Sequence, residues 1–400
     1  MQILFLHNNF PAQFGFLGQY LHQEGWDVWF GTQRKNSSLE GITVFTHESH
    51  RAVSEKTHPY LTNFENAVLN GQGVARAALK LKDKGLNPDI VVAHSGWGPG
   101  MFAKDIWPNA KFVGYFEWFY HSRAPDIVHL GAARQLDDDL RSRTRNAAIL
   151  TDLASCDVGI CPTQFQADQF PENLRSKLEI IHDGIETDIY KPNNEIRLTL
   201  GDKDLSEVPE LITYVARGME PYRGFPEFMA ALATILERRP NAHAVIVGED
   251  RVAYGKALPD GSTYKDKMLS EFEFPMDRVH FTGLLTRSKY LEVIQASHVH
   301  MYLTIPFVLS WSMMECMSAG CAIVGSTTEP VRELMTHGEH GWLVNMKDRM
   351  SIVQGVEKLL DDRALAKKLG EAARARILET YDRSAIFPQK KKMFEDLCAS

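Results

Sequence analysis

Short apolar runs alternate with amphipathic, helix-period segments along nearly the whole chain, and this alternation limits the fold more than any other feature of the sequence. In the first half, strands are expected at residues 3–6, 27–30, 90–93, 112–115 and 158–161. Helical stretches fall at 14–23, 74–84 and 134–155, the last placing Leu136, Leu140, Ala147, Leu150 and Ala154 near one face. The pattern breaks at residues 183–192, and a polar stretch without periodicity runs on to Pro209. Strands then resume at 211–216, 244–247, 279–282, 299–303, 322–325 and 342–344, with helices at 225–238, 288–296, 313–319, 331–337 and 351–360. Strand–helix alternation implies a parallel sheet covered by helices on both faces. At 400 residues the chain is too long for one ordinary core. The expected fold is therefore α/β, with two doubly wound Rossmann-like domains at residues 1–190 and 191–375. A terminal helix at 376–400 is expected to pack back on the first of them.

The bulk numbers exclude several classes. A net charge of −7 argues against a nucleic-acid binder, and no apolar run approaches the length of a membrane span. The amino terminus reads as a first strand, with no basic flank and no small-residue cleavage site. Five cysteines without a C-x-x-C pair fit free thiols in a reducing cytoplasm. Arg141, Arg143 and Arg145, with Lys390, Lys391 and Lys392, are candidates for a peripheral contact with anionic lipid head groups at the inner face of a membrane. Scattered surface bases explain them equally well.

Two segments carry the chemistry. After the strand at 299–303, a loop of small and apolar residues beginning at Pro306 leads into the helix expected at 313–319, with Glu315 about a turn inside it. Unpaired N–H groups and a partial positive charge at a helix start suit an anion. A carboxylate just inside suits a ligand bearing hydroxyls as well as phosphate, such as a nucleotide sugar. The second segment, Tyr214 to Phe225, places Arg217 and Arg223 between a strand and a helix, where their donor forks suit a diphosphate. A surface loop with two solvated arginines is the competing reading. Neither half supplies G-x-G-x-x-G after its first strand, so a nicotinamide-dependent dehydrogenase is disfavoured.

Taken together, residues 216–325 resemble the family-four glycosyltransferases. The resemblance implies the GT-B fold, two such domains facing across a cleft, with an acceptor-binding first domain and a donor-binding second. It also implies a nucleoside-diphosphate sugar as substrate, retention at the anomeric carbon and no metal or other cofactor. Arg217 and Arg223 match the family's arginine and lysine, the latter replaced here by arginine. They would carry catalysis by stabilising the leaving diphosphate. Glu315 matches the second of two family glutamates eight positions apart, the one associated with the ribose, while Phe307 stands where the first would be. Ser310, Trp311 and Ser312 occupy the place of amides that reach the diphosphate, and Leu284 lies in the segment beside the base.

In the first half, Gly15 ends a loop resembling one that approaches the donor, and its Asn-Phe-Pro opening resembles a subgroup of bacterial surface-polysaccharide enzymes. Glu117 takes the place of a family histidine near the reacting sugar, with His121 four positions on. His121 and Trp97 are acceptor-binding candidates, although packing would also explain a tryptophan at 97. Asp137-Asp138-Asp139 has the D-x-D spacing of a metal site but reads as a solvated helix face, and His47-Glu48-Ser49-His50 lacks the H-E-x-x-H spacing. The expected activity is transfer of a sugar to a glycan or lipid-linked glycan in bacterial polysaccharide biosynthesis. A nucleotide-sugar epimerase and a catalytically silent nucleotide-binding protein of the same fold are the alternatives.

Overall fold

The computed structural model describes residues 1–131 and 135–399. The first sheet comprises β1 (Gln2–Leu6), β2 (Asp27–Thr32), β3 (Thr43–Thr46), β4 (Ile90–His94), β5 (Lys111–Tyr115), β6 (Val158–Cys161) and β7 (Leu178–Ile180). All pairs are parallel, in the order β3-β2-β1-β4-β5-β6-β7. β4 is buried at every residue, which explains its unbroken apolar run: helices cover both faces and no alternation is needed. The chain winds outward from β1 to β3, then crosses back to start β4 on the other side of β1. That reversal sets a switch point between the carboxyl ends of β1 and β4, where such sheets bind ligands.

A short hairpin, β8 (Thr199–Leu200) and β9 (Lys203–Asp204), precedes the second sheet. That sheet is formed by β10 (Glu210–Gly218), β11 (Ala242–Glu249), β12 (Val279–Gly283), β13 (Val299–Tyr302), β14 (Ile323–Ser326) and β15 (Trp342–Val344). Its order is β12-β11-β10-β13-β14-β15, again all parallel. Its switch point lies between β10 and β13, so the segments that follow these two strands emerge side by side. Those are the arginine-bearing turn and the loop that leads to Glu315.

The chain divides into two units, Met1–Asp183 with Ser384–Ser400, and Gly184–Arg383. The terminal helix Arg383–Ala399 places Ile386, Phe387 and Phe394 in the first unit's core beside Ile3, Phe5 and Phe30. In the second unit, the helix Phe225–Arg238 buries Phe228, Leu232 and Ile235 against Ile212 and Tyr214 of β10.

The single helical stretch expected at 134–155 is corrected. Residue 134 lies outside the described residues, and the remainder forms two helices, Leu136–Arg145 and Ala147–Ser155, separated at Asn146. The Asn146 amide is taken up by both backbone groups of Tyr120 (2.9 and 2.6 Å), which anchors the break. The expected inward stripe therefore does not continue through it. Leu136, Leu140 and Leu150 are exposed, and Ala148, Ile149 and Leu153 face the core. Among the described residues, no helix is long and apolar enough to cross a membrane.

Candidate active site

The second unit's site begins where β10 ends. A turn, Pro221–Arg223, is closed by Gly224 at φ +60°, where a Cβ would lie 2.5 Å from Leu303 Cβ. Only glycine lets the chain pass β13 this closely, and the passage drives Arg223 inward. Arg223 is buried, and its Nη1 donates to the Val308 carbonyl (2.9 Å) and to Thr304 Oγ1 (3.2 Å). The arginine thus ties the turn after β10 to the loop after β13. Its guanidinium lies 5.0 Å from the Tyr254 ring centroid. Phe307 packs edge-on to Tyr222 at 5.0 Å and to Tyr254 at 5.4 Å, so two aromatic rings flank the phenylalanine that stands in place of the first glutamate of the resemblance.

Glu220, which sequence reasoning missed, holds this arrangement. Its side chain is fully buried and accepts the backbone N–H groups of Ala253, Tyr254 and Gly255 at 2.9, 2.9 and 2.6 Å. One carboxylate therefore fastens the loop after β11 beneath the arginine turn. A glutamate immediately before Pro221 gives no such signal in one dimension, because its partners lie more than thirty residues away.

The helix Trp311–Ser318 starts with a cap. Ser310 Oγ accepts from Ser312 N–H (3.3 Å), and Ser310 N–H donates to the Tyr302 hydroxyl (2.9 Å). The expectation of open amides at Ser310 and Ser312 is corrected: both donors have partners within the protein. Glu315 is half-buried, and its Oε2 accepts from the Tyr290 hydroxyl at 2.7 Å. The Tyr190 hydroxyl also bonds to this carboxyl group. Burial raises the Glu315 carboxyl above its ordinary range, opposed by the two tyrosines and by Arg287 and Arg383. Arg217 is exposed at the end of β10, with no ion-pair partner among the described residues, and Leu284 is also exposed.

In the first unit, the ends of β1, β4 and β5 bring His7, His94 and Glu117 together. Glu117 Oε2 lies 3.2 Å from His94 Nε2, and its Oε1 accepts from the Gln13 amide at 2.9 Å. Burial raises the Glu117 carboxyl, but His94 and Gln13 overcome this and hold it below the ordinary range. His121 lies elsewhere in the same loop, within 3.4 Å of the Gln169 side-chain oxygen. Trp97 is 53% exposed, which removes the packing explanation for it. Gly15 makes its close approach to its own loop, where a Cβ would lie 2.3 Å from Pro11 Cβ. Asp137 pairs with Arg141 at 3.3 Å, and His47 is buried with no ligand-like neighbour. Among the described residues, no cluster of three or more His, Cys, Asp or Glu side chains is placed to hold a metal ion.

Comparison with known proteins gives this geometry a family. The family described as "Glycosyl transferase family 4 group" matches residues 24–190, and "Glycosyl transferases group 1" matches residues 200–376. The chain belongs to the family-four glycosyltransferases, and its fold is GT-B. It is 30% identical over 120 residues to an uncharacterized glycosyltransferase of Methanocaldococcus jannaschii, covering 30% of this chain and 31% of that protein. It is 23% identical over 323 residues to a D-inositol 3-phosphate glycosyltransferase of Streptomyces avermitilis, covering 76% of this chain and 67% of that one. The match to the archaeal relative thus spans under a third of that protein's length. Among solved structures, sucrose-phosphate synthase from Thermosynechococcus elongatus superposes with a TM-score of 0.76 at 18% identity, covering 100% of this chain and 99% of that one. The Anabaena protein HepE, in complex with UDP-glucose, superposes with a TM-score of 0.70 at 16% identity, covering 99% and 100%.

Proposed function

We propose that this protein transfers a sugar from a nucleoside-diphosphate sugar to a glycan or lipid-linked glycan acceptor, with retention at the anomeric carbon. The observation that carries the reading is Arg223. A guanidinium is buried at the switch point of the second sheet, shared between the segments after β10 and β13, with Glu315 one helical turn beyond. Nη1 is committed to Thr304 and Val308, and the rest of the fork carries the charge that receives a diphosphate. Arg217, exposed at the end of the same strand, supplies a second cation.

In this reading the second unit binds the donor. Arg223 and Arg217 stabilise the charge that develops as the diphosphate leaves, in the role that a divalent cation fills in other transferases. Glu315 accepts hydrogen bonds from the ribose hydroxyls, and Ser310, Trp311 and Ser312 line the approach of the phosphates. The first unit supplies Glu117 to the reacting sugar, with Trp97 and His121 towards the acceptor. A role in polysaccharide biosynthesis, and a peripheral contact of Arg141, Arg143, Arg145, Lys391 and Lys392 with a membrane surface, belong to the same proposal; Lys390 takes no part in that contact because it is buried against Asp183.

UDP-glucose is the first donor to test, since HepE was solved with it. A thermal-shift screen against UDP, GDP, ADP and TDP identifies the base. Arg223→Ala and Glu315→Ala are then titrated with the nucleotide that binds. If both variants bind it as tightly as the parent, the donor site lies elsewhere. Turnover of the nucleotide sugar with no acceptor present and no release of nucleoside diphosphate would instead mark an epimerase.

A further inference from the structure

Among the charged groups of the first unit, His94 stands out by its surroundings. The ring is 4% exposed at the carboxyl end of β4. Its Nδ1 faces the Ser95 carbonyl oxygen at 3.0 Å, and its Nε2 faces Glu117 Oε2 at 3.2 Å. Acceptor oxygens therefore sit at both nitrogens, and only a ring protonated on both can donate to each of them. A buried cation is costly unless paired, and Glu117 is its pair. Burial alone would lower the His94 ring, but Glu117, with help from the Ser95 carbonyl and Asp183, raises it above its ordinary value.

The neighbouring groups reinforce this assignment. His7, at the end of β1, lies edge-on to His94 with ring centroids 4.8 Å apart. Its Nδ1 accepts the Asn9 N–H at 2.8 Å, and burial together with His94 lowers it to about 3, so it stays neutral beside the cation. From β5, Tyr115 directs its hydroxyl to Asp183 at 2.9 Å, and Lys390 of the terminal helix faces that same carboxylate at 3.5 Å. Asp152, from the helix Ala147–Ser155, accepts from the Ser95 hydroxyl and the Gly96 N–H. Asp183 and Asp152 thus have their own partners, and among the carboxylates of the described residues Glu117 is the one that bonds the imidazole. Gln13 holds the second Glu117 oxygen, while 35% of the Glu117 side chain stays open to solvent.

We propose that His94 is a positioning residue, an imidazolium that fixes Glu117 as an ionised carboxylate in a single orientation for accepting hydrogen bonds from sugar hydroxyls. A carboxylate so held accepts but does not donate, so it selects a polyhydroxyl ligand over an anionic one. Which substrate the sugar belongs to rests on the proposed glycosyltransferase function; the ion pair does not.

The test has two arms. In the full chain with ¹³Cε1-labelled histidine, the His94 resonance, assigned from its absence in His94→Gln, should titrate above 6.5 and fall below that value in Glu117→Gln. A His94 that titrates at or below 6.5 in the parent, or that Glu117→Gln leaves unmoved, overturns the pair. In the second arm, UDP release from UDP-glucose by His94→Gln should lose roughly ten- to a hundredfold in kcat, as expected for a misplaced catalytic group, with the donor KM within about twofold. An unchanged kcat, or a loss confined to KM, overturns the positioning role. If the parent releases nucleoside diphosphate from no nucleotide sugar, the proposed function fails, while the titration still decides the ion pair.

Discussion

The guanidinium of Arg223 lies 5.0 Å from the ring centroid of Tyr254, and Glu220, three residues before the arginine, holds the backbone that carries the tyrosine. Arginine and loop thus share one support. The carboxylate reaches three consecutive N–H groups because both its oxygens accept, and Gly255 leaves room for it: a Cβ there would meet Glu220 Oε2 at 2.9 Å.

Glu220→Gln replaces one accepting oxygen with an amide that faces an N–H group. At least one buried donor then loses its partner, at about 1–3 kcal/mol. Urea denaturation should show this loss, with weaker UDP binding as Tyr254 moves off Arg223. Full stability in the variant would mean that the 253–255 backbone is held by something else.

Arg223→Lys keeps the charge but not the fork. One ammonium cannot serve Thr304, Val308 and a diphosphate in the geometry of a planar guanidinium. Calorimetric titration with UDP should show affinity reduced at least about tenfold. Arg217→Ala removes an exposed side chain and should leave the melting temperature unchanged while lowering kcat. A drop in melting temperature would give Arg217 a structural role that its exposure does not suggest.

Asp152 makes the first unit sensitive to pH. Burial raises its carboxyl from 3.8 to about 6, against the Gly96 N–H and the Ser95 hydroxyl. The folded state holds this proton more tightly than the unfolded chain. Its contribution to stability is therefore complete below pH ~4 and lost as the pH rises through about 6, on the order of 3 kcal/mol in all. Urea midpoints between pH 4 and pH 8 should fall in the parent and fall less steeply in Asp152→Asn, where the raised His94 and Glu315 still contribute. Equal slopes in the two proteins would place the titrating group elsewhere.

Much of this architecture is legible in the sequence, because parallel sheets covered on both faces leave unbroken apolar runs such as residues 3–6 in β1 and 90–93 in β4. Arg223 and Glu315 are legible too, since each is local to a strand–turn–helix junction. What is not legible depends on distant partners. Glu220 and the 253–255 loop, or His94 and Glu117, lie more than twenty residues apart in the chain and meet only through the strand order. The amides at Ser310 and Ser312 look open in one dimension, and the Tyr302 hydroxyl and the Ser310 cap then occupy them. The break at Asn146 is not legible in one dimension for the same reason, because the backbone of Tyr120 supplies the competing hydrogen bonds.

Glu315 should show a conflict between stability and binding. Burial raises its carboxyl, with the Tyr290 and Tyr190 hydroxyls recovering only part of the cost of ionisation. By the same linkage, its favourable contribution is present below the unfolded value and lost as the pH rises through the raised folded one. As the pH rises, the folded protein thus takes on a half-buried charge that the unfolded chain would solvate. Glu315→Gln keeps an acceptor for Tyr290 and removes that charge, so it should melt higher than the parent at pH 7 and show no such advantage at pH 4. The same variant should bind UDP more weakly, because an amide oxygen accepts hydroxyl hydrogen bonds less strongly than a carboxylate. A variant stabilised at pH 7 that still binds UDP as the parent does would make Glu315 a structural partner of Tyr190 and Tyr290 and take it out of the donor site.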